Sequence, residues 1–530
     1  MTDQSIYDVA VIGYGPTGAT AANLLGQLGL KVVVIDREAD VYANARAIST
    51  DEEVLRVFQS VGLSERLQQD MLADRPVAFV DEDGVPFIEM TINSRGSGHP
   101  PQQFLYQPAM DHVVREGVSR FPNVEVLLEH EGLRVPNKGD EVELMLADLR
   151  TDTFKRLRAS YVIAADGGSS PTRGQLGIGY AGRTYGERWV VIDTKVLKEW
   201  DTHDRLRFHS NPSRPTVDCP TPLGHHRWEY PARAEEDEQE LLREGAIWKV
   251  LGDQGITPEH VTILRAVIYS HHVRVADRWR SGRVFLAGDA AHAMPPWIGQ
   301  GMSAGVRDAA NLCWKLHAVI KGQAPDSLLD SYQAERKPHV TEVTRRAVLV
   351  GRVITERNRV VATIRNHTLR ALSRLPGSPT VYQKLLWIPD ARYGEGFFAD
   401  GGHRAVGWQI PQPWVLDPSG AKVRLDDVLG GQWTILHAGG PPAGTKQWAA
   451  LGVPAIRLAG PHDGLHRQAI RDPDGTLTRW LQRKKAAAVV LRPDGFIYAA
   501  AGSGHPLPTP PSGLTGNTTP VPQAKSGASA

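Results

Sequence analysis

VAVIGYGPTGATAANLLGQLGLKVVVIDR, residues 9–37, is the stretch on which the fold turns. An apolar run ends at Gly13, and glycines follow at 15 and 18. A helix-spaced series then carries Ala19, Ala22, Leu25 and Leu28, closed by Gly29, before a second apolar run ends at Asp36. Strand, tight turn, helix, strand and acid, in that order, form the unit that seats a dinucleotide pyrophosphate on backbone N–H groups at a helix start. Gly13 permits the turn, Gly15 the close approach of phosphate, and Gly18 close packing of helix on strand. Pro16 and Thr17 complete the turn. Asp36 is placed to accept hydrogen bonds from ribose hydroxyls; Arg37 beside it either lies along an adenine or faces water.

A second glycine-rich segment, VFLAGDAAHAMPPWIGQGMSAGVRDAANLCWKL, spans residues 284–316. It reads as strand, turn and long helix, with Val306, Cys313, Leu316 and Ile320 on one helix face and Ala309 and Ala310 keeping it slim. Asp289, after Gly288, would repel a phosphate, so a sugar or ribityl hydroxyl suits it better. Pro295 and Pro296 stiffen the turn. Gly299, Gln300 and Gly301 open the helix, where backbone N–H groups can stabilise negative charge on a ring carbonyl. Two such segments so far apart suggest one large cofactor gripped from both ends.

The chain has 530 residues, too many for one growing core, so two or three domains are expected. Its 60 basic and 59 acidic residues leave a net charge of +1, which gives no electrostatic footprint for nucleic acid or anionic lipid. Cys219 and Cys313 are too few for a disulfide framework. No secretory signal opens the chain and no 18-residue apolar run occurs, so a cytoplasmic protein off the membrane is expected. The histidine pairs 225–226 and 271–272 lack Cys or Glu in ligand spacing, and no metal site is expected.

The remaining pattern places a surface loop at residues 93–101 and a strand leading to an Asp166-Gly167-Gly168 turn. Residues 189–193 and 225–230 alternate as strands, with a polar helix from about 234 to 251. Alternation puts His226, Trp228 and Tyr230 on one face and His225, Arg227 and Glu229 on the other; the sequence leaves open which face meets the cofactor. Beyond residue 401, strands at 433–437, 487–491 and 496–498 make a third unit, and Pro, Gly, Ser and Thr dominate after residue 502.

GYGPTG, DGGSS and GDAAH together, with YANARAISTDEEVLRVFQSVGL and GVSRFPNV, resemble the class A FAD-dependent aromatic hydroxylases. Within them the chain is most similar to bacterial 3-(3-hydroxyphenyl)propionate hydroxylases, from residue 7 to about 345 and more loosely beyond. The resemblance implies an α/β fold, α+β overall. A Rossmann-like FAD-binding domain (1–175 and 275–395) would carry an inserted mixed-sheet substrate domain (176–274). A C-terminal thioredoxin-like domain (396–502) and a disordered tail (503–530) would follow. It implies FAD held by Gly13, Gly15, Gly18 and Asp36 at the AMP half, with Arg46 and Gln107 near the pyrophosphate and flavin. Asp166 and Gly167 would serve FAD and the nicotinamide cofactor together. Asp289 would bind the ribityl or pyrophosphate region, and Pro296 and the turn Gly299, Gly301 and Met302 would shape the isoalloxazine pocket. The NARA segment (44–47) replaces the family's more usual proline-arginine-alanine, which keeps an arginine and loosens the turn before it. The C-terminal unit lacks cysteine, which excludes dithiol exchange there.

The chemistry so implied is NADH- or NADPH- and O2-dependent hydroxylation of a phenol through a flavin C4a-hydroperoxide. The substrate would be a 3-(3-hydroxyphenyl)propionate-type acid or, alternatively, a polyketide or other phenolic metabolite. Arg46, Pro296, His226 and Tyr230 are the catalytic candidates. A flavoprotein dehydrogenase or halogenase is a competing class, although no W-x-W-x-I segment occurs; a binding-only flavin scaffold is another. The expected partner is a small phenol, with no nucleic acid and no membrane, and a homodimer is among the assemblies open to it.

Overall fold

The strand Tyr7–Ile12 forms because it can be buried on both sides. It lies parallel between Val32–Ile35 and the long strand Thr153–Ala164, and its last four residues are buried. Parallel strands covered on both faces read as continuous apolar runs, as residues 9–12, 32–35 and 161–164 do, whereas the first half of Thr153–Ala164 is charged and largely exposed. Val124–Leu127 extends the sheet on one side, and Val284–Leu286 with Arg280–Ser281 on the other. Strands Val142–Asp148 and His130–Arg134 add an antiparallel flap. This computed structural model describes residues 6–136, 139–233, 235–377, 383, 388–460 and 469–516. Helix Pro16–Gln27 covers one sheet face and packs against helices Gly301–Ile320 and Gln107–Val118. Because the central strands run parallel, Gly13, Asp36, Ala165 and Ala287 follow their carboxyl ends on one edge, the usual ligand edge of such a sheet.

The second sheet contains the two expected strands, inside Tyr180–Val196 and His225–Pro231, together with Val261–Ala276, Thr216–Thr221 and Leu206–His209, which the sequence pattern does not single out. It is not confined to residues 176–274. Val77–Val80 pairs parallel with Leu206–His209, Pro86–Met90 pairs with Val77–Val80, and His292–Ala293 closes the other edge. Covering an exposed strand edge accounts for this recruitment from the first domain. The polar helix read at 234–251 is two short helices, Glu238–Leu241 and Glu244–Gly252.

A seven-stranded mixed sheet forms the C-terminal unit, ordered Lys422–Arg424, Trp414–Leu416, Ala469–Arg471, Ala455–Ala459, Thr434–Ala438, Ala488–Leu491 and Ile497–Ala501. Arg492, in the turn of its last hairpin, pairs with the buried Glu335 of helix Ser331–Ile354 at 2.7 Å, and Lys315 reaches the same carboxylate at 2.9 Å. Arg56 grips Asp426 through two bonds of 2.6 and 2.7 Å.

Two expectations fail here. The run from residue 503, read as disordered, packs through residue 516. Leu507 and Leu514 are buried, Trp448 Nε1 donates to the Pro508 carbonyl, and Thr515 N donates to that of Gln323. Two well-spaced leucines suffice to anchor a proline-rich strap; residues 517–530 lie outside the described residues. The loop at 93–101 is likewise not a free surface loop. Ser97 and His99 are buried, and Gly98 packs so tightly on Gln412 that a Cβ there would collide with its carbonyl. No described helix is long and apolar enough to cross a membrane.

Candidate active site

The two glycine-rich segments meet. Thr17, in the first turn of helix Pro16–Gln27, lies against both Gly288 and Gly305, and a Cβ on either glycine would strike its hydroxyl. Gly13 adopts φ +98°, and a Cβ there would collide with the Ala165 carbonyl. Gly18 is pressed against Gly13 in the same way. Gly15, the residue before the helix, has nothing within 4 Å of where a Cβ would stand. Gly301, which begins helix Gly301–Ile320, is equally open. Neither helix has an acidic residue in its first turn or a side chain capping its N-terminal N–H groups. Both starts are therefore bare donor sites for negative charge. Gly299, at φ +64°, turns the chain into the second helix and is packed on Ser49, and Met302 is partly buried in the main core.

Three carboxylates surround these starts. Asp36 is oriented by the N–H groups of Tyr14 at 2.5 Å and Glu38 at 2.8 Å. Arg37 points to solvent and pairs with Glu38. Asp166 accepts from Thr172 N at 3.1 Å, leaving Oδ1 buried without a partner, and Gly167 turns at φ +84°. Arg173 ties this turn to the second segment by donating to the carbonyls of Gly168 and Ala290. Asp289 is accessible in the cleft, its backbone carbonyl held by Tyr180 OH at 2.7 Å. Crowding by protein raises its carboxyl above the ordinary range, while His292 and Arg46 draw it back.

Arg46 stands exposed in a loop fixed through its main chain. Gln107 Oε1 accepts from both Arg46 N and Ala47 N, at 2.9 and 2.7 Å. From the second sheet, Arg227 donates to the carbonyls of Arg46 and Ala45, and Arg265 also donates to Ala45. Asp193 holds these two arginines at 2.6 and 2.7 Å. The Arg46 guanidinium itself lies over Tyr42, 4.6 Å from the ring centre.

This fixes the question that alternation left open. The face bearing His225, Arg227 and Glu229 meets the Arg46 loop, so His226 and Tyr230, the sheet's catalytic candidates, point away. His226 is buried against Trp228 and Trp200, and burial holds its imidazole below the ordinary range. Tyr230 lies in an apolar cluster with Val190, Ile192 and Leu251. The loop-side face continues through Cys219 and Phe208, which pack with Phe104 and Ile298 and leave Ile48, Met294 and Trp297 at the margin. Pro296 is exposed at this margin.

Residues 6–347 match the FAD binding domain family, and residues 407–509 match the HcaD C-terminal domain family. A 3-(3-hydroxy-phenyl)propionate/3-hydroxycinnamic acid hydroxylase of Burkholderia cenocepacia is 32% identical over 507 residues, covering 93% of each chain. The enzyme of that name from Escherichia coli O139:H28 is 34% identical over 513 residues, covering 93% of this chain and 91% of its own. The chain belongs to the class A FAD-dependent aromatic hydroxylases. Among solved structures, p-nitrophenol 4-monooxygenase from Pseudomonas putida DLL-E4 superposes with a TM-score of 0.66 at 26% identity, over 72% of this chain and 97% of that one. A flavin-dependent monooxygenase in complex with FAD and substrate shares the fold, with a TM-score of 0.79 at 22% identity over 94% of this chain and 96% of that one.

The hydroxylase thus takes FAD, and the open glycines and bare helix starts fit a long dinucleotide. What holds these parts in register was not legible as function from the sequence. Asp308 is fully buried, accepting from His292 Nε2 at 2.6 Å, Arg336 Nε at 2.9 Å and Gly288 N at 3.0 Å. Burial opposes its ionisation, but His292 and Arg336 keep its carboxyl below the ordinary range. Arg307 binds Asp51, Glu53 and Gln300, fixing the start of the second helix. The available signal was a run of charged and polar residues, Arg307, Asp308, Asn311 and Lys315, in an otherwise apolar helix. Among the described residues no group of three His, Cys, Asp or Glu could hold a metal ion.

Proposed function

We propose that this hydroxylase uses NADH or NADPH and O2 to hydroxylate a 3-(3-hydroxyphenyl)propionate-type acid. The observation that carries the reading is the junction at Thr17, which packs the two open helix starts together. Asp36 is bound to Tyr14 N in the first glycine turn. Asp289 follows Gly288 in the second, its carboxyl drawn down by the charge of Arg46. The N–H groups after Gly15 would take the pyrophosphate, and Asp36 the adenosine ribose. Asp289 would take ribityl hydroxyls, and the turn from Pro296 to Met302 would border the flavin ring. Bound FAD supplies the activation of dioxygen, and the protein supplies position, orientation and exclusion of water. The C-terminal unit, with its central parallel strands flanked by antiparallel ones, supports a thioredoxin-like assignment, without dithiol chemistry.

Full-length similarity to hydroxylases of that acid supports the substrate. A second reading, a phenol without a carboxylate such as a polyketide, is favoured by the arginines of the second sheet. Arg207 faces away and is bound to Asp218, and Arg227 and Arg265 are engaged with Asp193 and the loop carbonyls. The test compares 3-(3-hydroxyphenyl)propanoate with its methyl ester and with 3-ethylphenol. The acid is expected to accelerate NAD(P)H oxidation at least tenfold and to yield one hydroxylated product. Equal stimulation by the neutral analogues would favour the second reading, and no stimulation by any phenol would remove both.

Asp289→Ala is expected to weaken FAD retention by about tenfold, the scale of a hydrogen bond or two to a charged group. Flavin content after gel filtration, relative to the parent, measures it; full occupancy would detach Asp289 from the cofactor.

A further inference from the structure

Asp111 lies one helical turn beyond Gln107 in helix Gln107–Val118, and it is buried, with only 6% of its surface exposed. Gln107 has two ends, and the structure uses both. Its oxygen takes the N–H groups of Arg46 and Ala47, and its nitrogen donates to Asp111 Oδ2 at 3.2 Å. A flipped amide would point its NH2 group at two other donors, so the contact with Asp111 holds the orientation that grips the loop. The other carboxyl oxygen, Oδ1, is buried with no hydrogen-bond partner.

An ionised carboxylate in that position would lack the second set of donors it needs. The charged groups that face it are engaged elsewhere. Arg115, on its own helix, donates to the Tyr14 carbonyl at 3.0 Å and stands 3.7 Å from Asp36. Arg46, on the loop, lies over Tyr42. We propose that Asp111 is a positioning residue, which with its carboxyl protonated orients Gln107 and through it fixes the Arg46–Ala47 loop against the FAD cleft. Burial pushes this carboxyl up to about 7, with Gln107, Arg115 and Arg46 pulling the other way. A proton leaving Asp111 goes to bulk water, so the loop's geometry is linked to pH near neutrality.

The inference rests on the reading of Arg46 and Gln107 as residues of the FAD site, and two variants separate the two. Asp111→Asn keeps an acceptor for Gln107 Nε2 and cannot ionise, whereas Asp111→Ala keeps neither property. In urea unfolding of the apoprotein, a folded-state carboxyl raised above its unfolded value stabilises the parent least once the pH exceeds the folded value. The midpoint of Asp111→Asn should therefore rise relative to the parent between pH 5 and 8, most steeply between the ordinary carboxylate range and about 7. Parallel curves would overturn the protonated carboxyl, whatever the loop does. In FAD titrations by flavin fluorescence at pH 6, Asp111→Ala should bind about tenfold more weakly and Asp111→Asn like the parent. Equal affinities for Ala and Asn would overturn the positioning role. If the unfolding result holds while Arg46→Ala leaves FAD binding and reduction unchanged, the protonated carboxyl stands and the loop's place in the FAD site falls.

Discussion

Arg46→Ala should slow reduction of the flavin by NAD(P)H at saturating phenol by about 100-fold, while the protein stays folded and yellow. The size is that of a misplaced catalytic geometry rather than of a lost surface charge, since exposed ion pairs contribute little. The side chain makes little that folding would miss: its guanidinium rests on Tyr42, and the loop is anchored by its main chain. Arg227, Arg265 and Gln107 hold the carbonyls and N–H groups of residues 45–47 regardless of which side chain position 46 bears. That arrangement fixes the backbone independently of the guanidinium, whose charge pulls the carboxyls of Asp289 and Asp111 down against the effect of burial. Stopped-flow reduction of parent and variant, with circular dichroism and flavin content as controls, measures the effect. An unchanged rate would make Arg46 a surface cation and leave only the backbone of the loop with a role.

The first sheet was legible because its information is local. Residues 9–12 and 32–35 are continuous apolar runs, and Gly13, Gly15 and Gly18 stand where the turn needs them, one with positive φ, one in open space and one under a carbonyl. What the sequence withheld is information that belongs to two distant segments at once. Alternation divided residues 225–230 into two faces, but only the contact between Arg227 and the carbonyls of Ala45 and Arg46, some 180 residues away in the chain, decides which face looks into the cleft. His226 and Tyr230 were attractive as chemistry and fell on the wrong side by one residue of register. The recruitment of Val77–Val80 into the second sheet is of the same kind, because an apolar run does not state which edge it will cover. The strap at 503–516 was misread for a different reason: composition averaged over a proline-rich run conceals two leucines that find a core elsewhere.

The remaining large effect concerns Asp308. Its carboxylate is enclosed by His292, Arg336 and Gly288 N, and it joins the second glycine-rich turn to helix Ser331–Ile354. Replacing such a carboxylate by alanine leaves Arg336 fully buried without its ionic partner, and removing one member of a buried pair costs about 3–5 kcal/mol. Asp308→Ala should therefore lose that amount in urea unfolding of the apoprotein at pH 7. Asp308→Asn should lose less, because it keeps an acceptor for one of the donors. The sign with pH follows from the depressed carboxyl: its stabilisation is complete above the ordinary carboxylate range and disappears as the pH falls through the lowered value, so the gap between parent and alanine variant should narrow in acid. The same substitution frees Gly288 N and loosens the turn that presents Asp289, so FAD retention should fall together with stability. A variant with parental stability but weakened FAD binding would mean that Asp308 serves the turn alone. A variant that unfolds early yet holds FAD as tightly as the parent would mean that the glycine-rich turn keeps its shape through Thr17 without the buried carboxylate.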